Sequence, residues 1–237
     1  MQFGQEQIRF VMCGRFTLRT RAGALSEQFG CKIPEFQPRY NVAPTQMIAA
    51  VRQELDNQQR RYVALRWGLI PSWAKDMSFG NRMINARAET VADKPAFRTA
   101  LRRRRCLVLA DGYFEWTKKG RTKQPHYFRM RNGQPFAFAG IWETWRDQSN
   151  ERVIESCAVI TTEANELAQP IHDRMPAILT PRHYTVWLDP SMQEAAPLQS
   201  MLNPFESREM VVDPVSTRVN SPRNDDPGCV QVIRELF

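Results

Sequence analysis

Long apolar runs are missing from this 237-residue chain; the best candidates, at 106–110 and 157–160, are only five and four residues long. A membrane-crossing helix needs about 20 such residues, so none is expected. Residues 1–11 have no basic start and no long apolar stretch, and do not read as a signal peptide. Cysteine is sparse and irregular: Cys13, Cys31, Cys106, Cys157 and Cys229 are odd in number and form no CxxC pair. Neither a disulfide framework nor a zinc site is suggested, no cofactor is called for, and a reducing cytoplasm is the natural setting. Histidine occurs three times, at 126, 172 and 183. Repeats, low-complexity segments and a convincing domain boundary are all lacking. Acid is outnumbered: 25 Asp and Glu against 33 Lys and Arg give a net charge of +8. That balance favours an anionic partner, nucleic acid first, or marks a merely basic protein.

What is present is many short alternating segments. Strands are expected at 13–18, 47–51, 61–67, 106–110, 113–116, 126–130, 136–142, 153–161, 210–215 and 230–233. Helices are expected at 22–29 before Gly30, at 97–101, from Thr180-Pro181 to 186, and from Pro197 to about 202. Thr162 is placed to cap another short helix ended by Pro170. Asn132-Gly133 signals a two-residue hairpin, and residues 118–121 a hairpin tip. The pattern predicts a single α+β domain, 12–237, with a curved, mainly antiparallel, barrel-like sheet and a few peripheral helices. Residues 1–11 are set apart as a leader or non-native extension.

The stretch with most chemistry is Met12-Cys13-Gly14-Arg15-Phe16. It resembles a translation start whose methionine is removed, exposing Cys13 with a free α-amine beside its thiol. The amine condenses with an aldehyde, and the thiol then adds to the imine carbon to close a five-membered thiazolidine. An α-amine has a pKa of about 7.7–8.0 against about 10.4 for lysine, so its nucleophilic form is far more populated at neutral pH. The plainer reading makes Cys13 a small buried residue of a first strand.

Other candidates are weaker alone. Glu115, between Phe114 and Trp116, is either a proton shuttle with aromatic neighbours or a solvent-facing strand residue. His172 lies in a loop with Asp173 and Arg174, where function often sits. His126 and His183 occupy ordinary strand and helix contexts and are read as structural. Asn85 and Arg87 share a face of an extended segment and suit a phosphate or an opened sugar. Arg15 is two residues after Cys13 and is expected to share its face. Residues 102–105, four arginines, either face water or attract a phosphate backbone. Trp67, Trp73 and Trp116 are core or base-stacking aromatics.

Six motifs in order carry more than their parts: Met-Cys-Gly-Arg-Phe, Arg-Tyr-Asn-Val-Ala-Pro, Trp-Gly-Leu-Ile-Pro-Ser-Trp, Asn-Ala-Arg-Ala-Glu-Thr, Asp-Gly-Tyr-Phe-Glu-Trp and Ile-His-Asp-Arg-Met-Pro. From Met12 to about Val232 the chain closely resembles the SRAP family, the SOS-response-associated peptidase-like proteins. That family includes the animal 5-hydroxymethylcytosine-binding protein of embryonic stem cells. The resemblance implies a covalent thiazolidine crosslink between Cys13 and the aldehyde of an abasic site in single-stranded DNA. It implies that Asn85 orients the opened sugar, that Glu115 handles protons, and that His172 assists ring opening and binds the adjacent phosphate. Arg15, Arg87 and Arg174 then hold the backbone, with Asn41 and Thr161 on the same path. Pro44, Trp67 and Trp73 line the channel around flanking bases. The protein is expected to be a monomer, near the nucleoid, shielding damaged DNA, with weak lyase and self-cleaving activities as accompaniments. Two competitors remain. One is a cysteine peptidase that uses Cys13 with His172 as base and removes its own leader. The other is a non-catalytic reader of modified bases.

Overall fold

The computed structural model describes residues 14–54, 59–119, 122–147 and 151–233. Cys13 and the proposed leader lie outside the described residues. The strands are β1 Phe16–Leu18, β2 Arg39–Val42, β3 Met47–Gln53, β4 Arg60–Trp67, β5 Asn85–Arg87, β6 Arg105–Ala110 and β7 Gly112–Lys119. They continue as β8 Thr122–Met130, β9 Phe136–Arg146, β10 Val153–Glu163, β11 Arg174–Pro176, β12 Ile178–Leu179 and β13 Met210–Pro214. The α-helices are short: α1 Ala22–Phe29, α2 Arg98–Arg103, α3 Tyr184–Leu188 and α4 Ala195–Gln199.

Strands β10, β4, β3, β6 and β9 pair in that order, and β9 pairs back onto β10. This closes a five-stranded barrel and removes its exposed edges. Two pairings are parallel, β10 with β4 and β10 with β5; the others are antiparallel. A second sheet has the order β13-β8-β7-β1-β2. The fold is α+β with a barrel-like sheet, as expected.

Alternation along the barrel strands feeds two apolar clusters. Leu107 and Leu109 pack with Leu25 and Phe29 of α1 and Trp187 of α3. Their neighbours Cys106, Val108 and Ala110 pack with Phe16, Tyr113 and Phe128 of the second sheet. A strand buried on both sides must be apolar at every position, and β6 is.

The crossing from barrel to second sheet is made at Asp111-Gly112. Asp111 is buried and accepts from Thr17 Oγ1 at 2.5 Å and from the Thr20 backbone N–H at 2.8 Å. A Cβ on Gly112 would lie 2.2 Å from the Tyr127 hydroxyl, so only glycine lets the strands meet this closely. That contact seats β7, and Glu115 with it, between β1 and β8.

Three local expectations are corrected. No helix follows Thr162; β10 continues through Glu163 because residues 161–163 pair with β11. Asn132-Gly133 does turn, with Gly133 at φ 71°, but β8 and β9 belong to different sheets, so it joins sheets rather than closing a hairpin. The strand expected at 230–233 is a single bridge, Val215 to Val232, after a 3-10 turn at Pro227–Val230.

Candidate functional site

The end of β10 collects most of the candidates. β5 lies parallel to it, with Asn85 beside Val159 and Arg87 beside Thr161. β11 lies on its other side, with Arg174 opposite Glu163. Asn85, Arg87, Thr161, His172 and Arg174 therefore come from three distant segments to one place. Parity puts Asn85 on the same face as Val159, which packs in the cluster shared with Tyr113 of β7. Glu115 is two residues beyond Tyr113, on that same face of β7. It is buried, 2% exposed, rather than in solvent.

The first described residues run alongside the same strand. Phe16 pairs with Tyr113, and the Phe114 N–H donates to the Arg15 carbonyl at 3.0 Å. Continuing this antiparallel register sets the buried Gly14 level with Glu115. Arg15 turns to the opposite face from Phe16. There its Nη1 donates to Asn41 Oδ1 and to the Val219 carbonyl, both at 2.9 Å. Desolvation lowers the Arg15 pKa, with a smaller opposing effect from Cys229.

Arg174 is held firmly. Its Nη1 and Nη2 meet the two Glu89 oxygens at 2.6 and 3.0 Å, and Nη2 also donates to the Thr161 carbonyl at 2.7 Å. The hydrogen bond from Arg174 holds the Glu89 carboxyl below its ordinary pKa, against partial desolvation. Such a bidentate fork fixes the guanidinium plane. Its Nε is buried and has no hydrogen-bond partner. Arg174 accordingly braces the β10–β11 corner that carries His172.

His172 Nδ1 accepts the Arg174 backbone N–H at 3.0 Å, so the neutral ring carries its proton on Nε2. Asp173 Oδ1 lies 2.9 Å from the same Nδ1. The Asp173 side chain is 83% exposed and water-screened, so the backbone bond decides the tautomer.

Arg87 is exposed, and among the described residues its guanidinium has no hydrogen bond or salt bridge. Of Arg15, Arg87 and Arg174, it is the one left exposed. Arg87→Ala is expected to weaken binding to any single strand and to cut the slope of log affinity against log salt by about 0.7. Titration at several salt concentrations reads this directly; an unchanged slope would make Arg87 structural.

Three residues expected on the DNA path, Trp67, Asn41 and Thr161, are buried. Trp67 is 1% exposed, rests 5.2 Å from the Phe16 ring, and donates Nε1–H to the Ile84 carbonyl. It is core, so Trp67→Ala should cost about 3–5 kcal/mol of stability, read from denaturant unfolding. Asn41 is fully buried; its amide donates to the carbonyls of Val219, Ser221 and Asn224. It holds Arg15 and the C-terminal segment. Thr161 is fully buried and offers its carbonyl to Arg174. In the arginine run, Arg105 is 3% exposed and donates to the carbonyls of Leu101, Arg102 and Trp187, while Arg104 pairs with Glu143 at 2.6 Å. Burial brings the Arg105 pKa down to about 10. Only Arg102 and Arg103 of the four face water.

Trp73 is 58% exposed, its ring edge-on to Phe79 at 5.2 Å. Pro44 is half-buried in a turn whose Thr45 takes φ 72°, an uncommon conformation for a β-branched residue. The Thr45 N–H is bonded to the Trp67 carbonyl. Glu89 and Asp225, which clamp Arg174 and the backbone of Tyr40 and Asn41, were not singled out by sequence. Among the described residues no cluster of His, Cys, Asp or Glu could hold a metal ion, and no helix is long and apolar enough to cross a membrane.

Comparison with known proteins places the chain in a family. The profile of the SOS response associated peptidase (SRAP) family matches residues 12–222. The abasic site processing protein YoqW of Bacillus subtilis is 43% identical over 225 residues, covering 93% of this chain and 99% of that protein. The abasic site processing protein HMCES of Xenopus tropicalis is 30% identical, over 84% of this chain and 67% of that one. A crystal structure of a Bacteroides thetaiotaomicron protein superposes with a TM-score of 0.81 at 28% identity, covering 94% of this chain and all of the other.

Proposed function

Because this chain belongs to the SOS response associated peptidase (SRAP) family, we propose that it processes abasic sites in single-stranded DNA by covalent capture through Cys13. The observation that supports this most is the register that sets Gly14, the residue after Cys13, level with buried Glu115 on β7. The relatives named as abasic site processing proteins support the substrate.

The chemistry follows from the substrate. A closed abasic sugar is a hemiacetal, and opening it needs a proton on the ring oxygen. His172, when its ring is protonated, is the group that delivers it from Nε2. Asn85 orients the opened sugar, Arg87 holds the adjoining phosphate, and Trp73 stacks on a flanking base. The Cys13 amine attacks the aldehyde carbon, water leaves, and the thiol adds to the imine carbon. Glu115 gives and takes the protons of dehydration and ring closure. Arg174 positions His172, and Arg15 steadies the chain start with Asn41. The product is a stable thiazolidine that blocks strand cleavage.

Incubation with abasic and intact single strands, resolved on a denaturing gel, tests this reading. A retarded band is expected with the abasic strand alone; no band, or bands with both, would defeat it. His172→Ala should slow capture of a natural abasic site by roughly 10²-fold, the low end of what a general acid supplies. Capture of a strand carrying an already open aldehyde should change far less. Equal slowing of both would leave His172 as a phosphate contact.

A further inference from the structure

Capture leaves one proton unaccounted for. An α-ammonium and a thiol bring four hydrogens to the aldehyde. Water carries off two, the ring nitrogen keeps one, and one proton must depart. The C=O bond breaks, one C–N and one C–S bond form, and no electrons are exchanged with a third party. Glu115 is the group at hand to take that proton, but it is 2% exposed and has little contact with bulk water.

Directly across the β7–β8 ladder from Glu115 is His126. Opposed residues of an antiparallel pair share a face, with Cβ atoms about 4.5–5.5 Å apart. Thr117 follows Glu115 on that face, and its Oγ1 is 3.1 Å from His126 Nε2. Both His126 and Thr117 are half-buried, between the enclosed carboxylate and the hairpin end. We propose that His126 is a positioning residue acting through Glu115, relaying to solvent the proton released when the Cys13 adduct closes.

The surroundings of the imidazole suit that role. On the far side its partner on β13 is Pro214, which has no titratable group. On its own strand the same face carries Phe128 and Gln124, whose amide is engaged by the Pro125 and Val215 carbonyls. Asp213 alternates to the other face and pairs with Arg129; Lys118 and Lys123 alternate there too. Among the described residues, Glu115 is thus the ionisable group that faces His126. Burial lowers the His126 pKa, keeping the ring neutral and able to accept at pH 7.

This inference rests on the capture reading, and one experiment separates the two. Single-turnover capture of an abasic strand is followed from about pH 5.5 to 8 for the unaltered protein and for His126→Gln, whose amide does not titrate. The variant should be about tenfold slower near pH 8, and the two rates should converge as the pH falls through the lowered pKa of His126, below which a protonated ring no longer accepts. Binding of an intact strand should be unchanged. A ratio of rates constant across pH, or no slowing at all, would overturn the relay while leaving capture intact. Absence of any adduct with the unaltered protein would overturn both. His126→Tyr, which keeps a ring there, serves as the second variant should glutamine unfold the sheet.

Discussion

A Cys13→Ala protein is expected to form no adduct with an abasic strand that survives heat and denaturant, unless borohydride is added first. Alanine keeps the α-amine, so the imine still forms, but it remains open to hydrolysis. The thiol makes the difference because ring closure is intramolecular. Well-oriented intramolecular reactions reach effective molarities of about 10⁵–10⁸ M, beyond any free thiol. The stable adduct should fall by at least roughly 10²-fold, and the unclosed imine should expose the strand to β-elimination. Gels run with and without borohydride read both outcomes. Protein that retains residues 1–12 has a peptide nitrogen at Cys13 and should form neither species. A Cys13→Ala protein giving the same heat-stable band would remove the thiazolidine.

Glu115→Gln is expected to have the second largest effect. Glutamine preserves shape and a carbonyl acceptor but neither takes nor gives the proton. General acid and base groups contribute about 10²–10⁴-fold, and a loss in that range is expected for natural abasic sites and pre-opened aldehydes alike. Dehydration and ring closure come after opening, so both substrates pass through them. Affinity for an intact strand should hold, because Glu115 is buried and meets no phosphate. Single-turnover rates on both substrates decide this; slowing confined to the natural site would move Glu115 to ring opening.

Local pattern reached far in this chain, and failed where distant segments pair. The apolar run at 106–110 reads as a strand, and β6 is one, because a strand buried on both faces leaves that signature. Asn132-Gly133 reads as a turn and is one, yet nothing local shows that the next strand joins another sheet. Thr162 resembles a helix cap, but pairing of residues 161–163 with β11 outweighs a lone cap. At the site, Asn85 and Arg87 are legible from their spacing of two. The burial of Trp67 was not legible, because an aromatic at strand spacing looks the same in core and channel. The Arg174–Glu89 fork joins residues 85 positions apart, and the Glu115–His126 pair depends on hairpin register. Both emerge once the sheets are assembled.

The central claim is that the first residue of the mature chain, not an internal side chain, carries the DNA. Protein cut after Met12 is mixed with an abasic single strand, denatured, and digested with nuclease and trypsin for peptide mass analysis. The account predicts the sugar remnant on the peptide Cys13-Gly14-Arg15, at the summed mass less one water and unaltered by borohydride. An adduct on a lysine, or on a peptide that still carries residues 1–12, would contradict it.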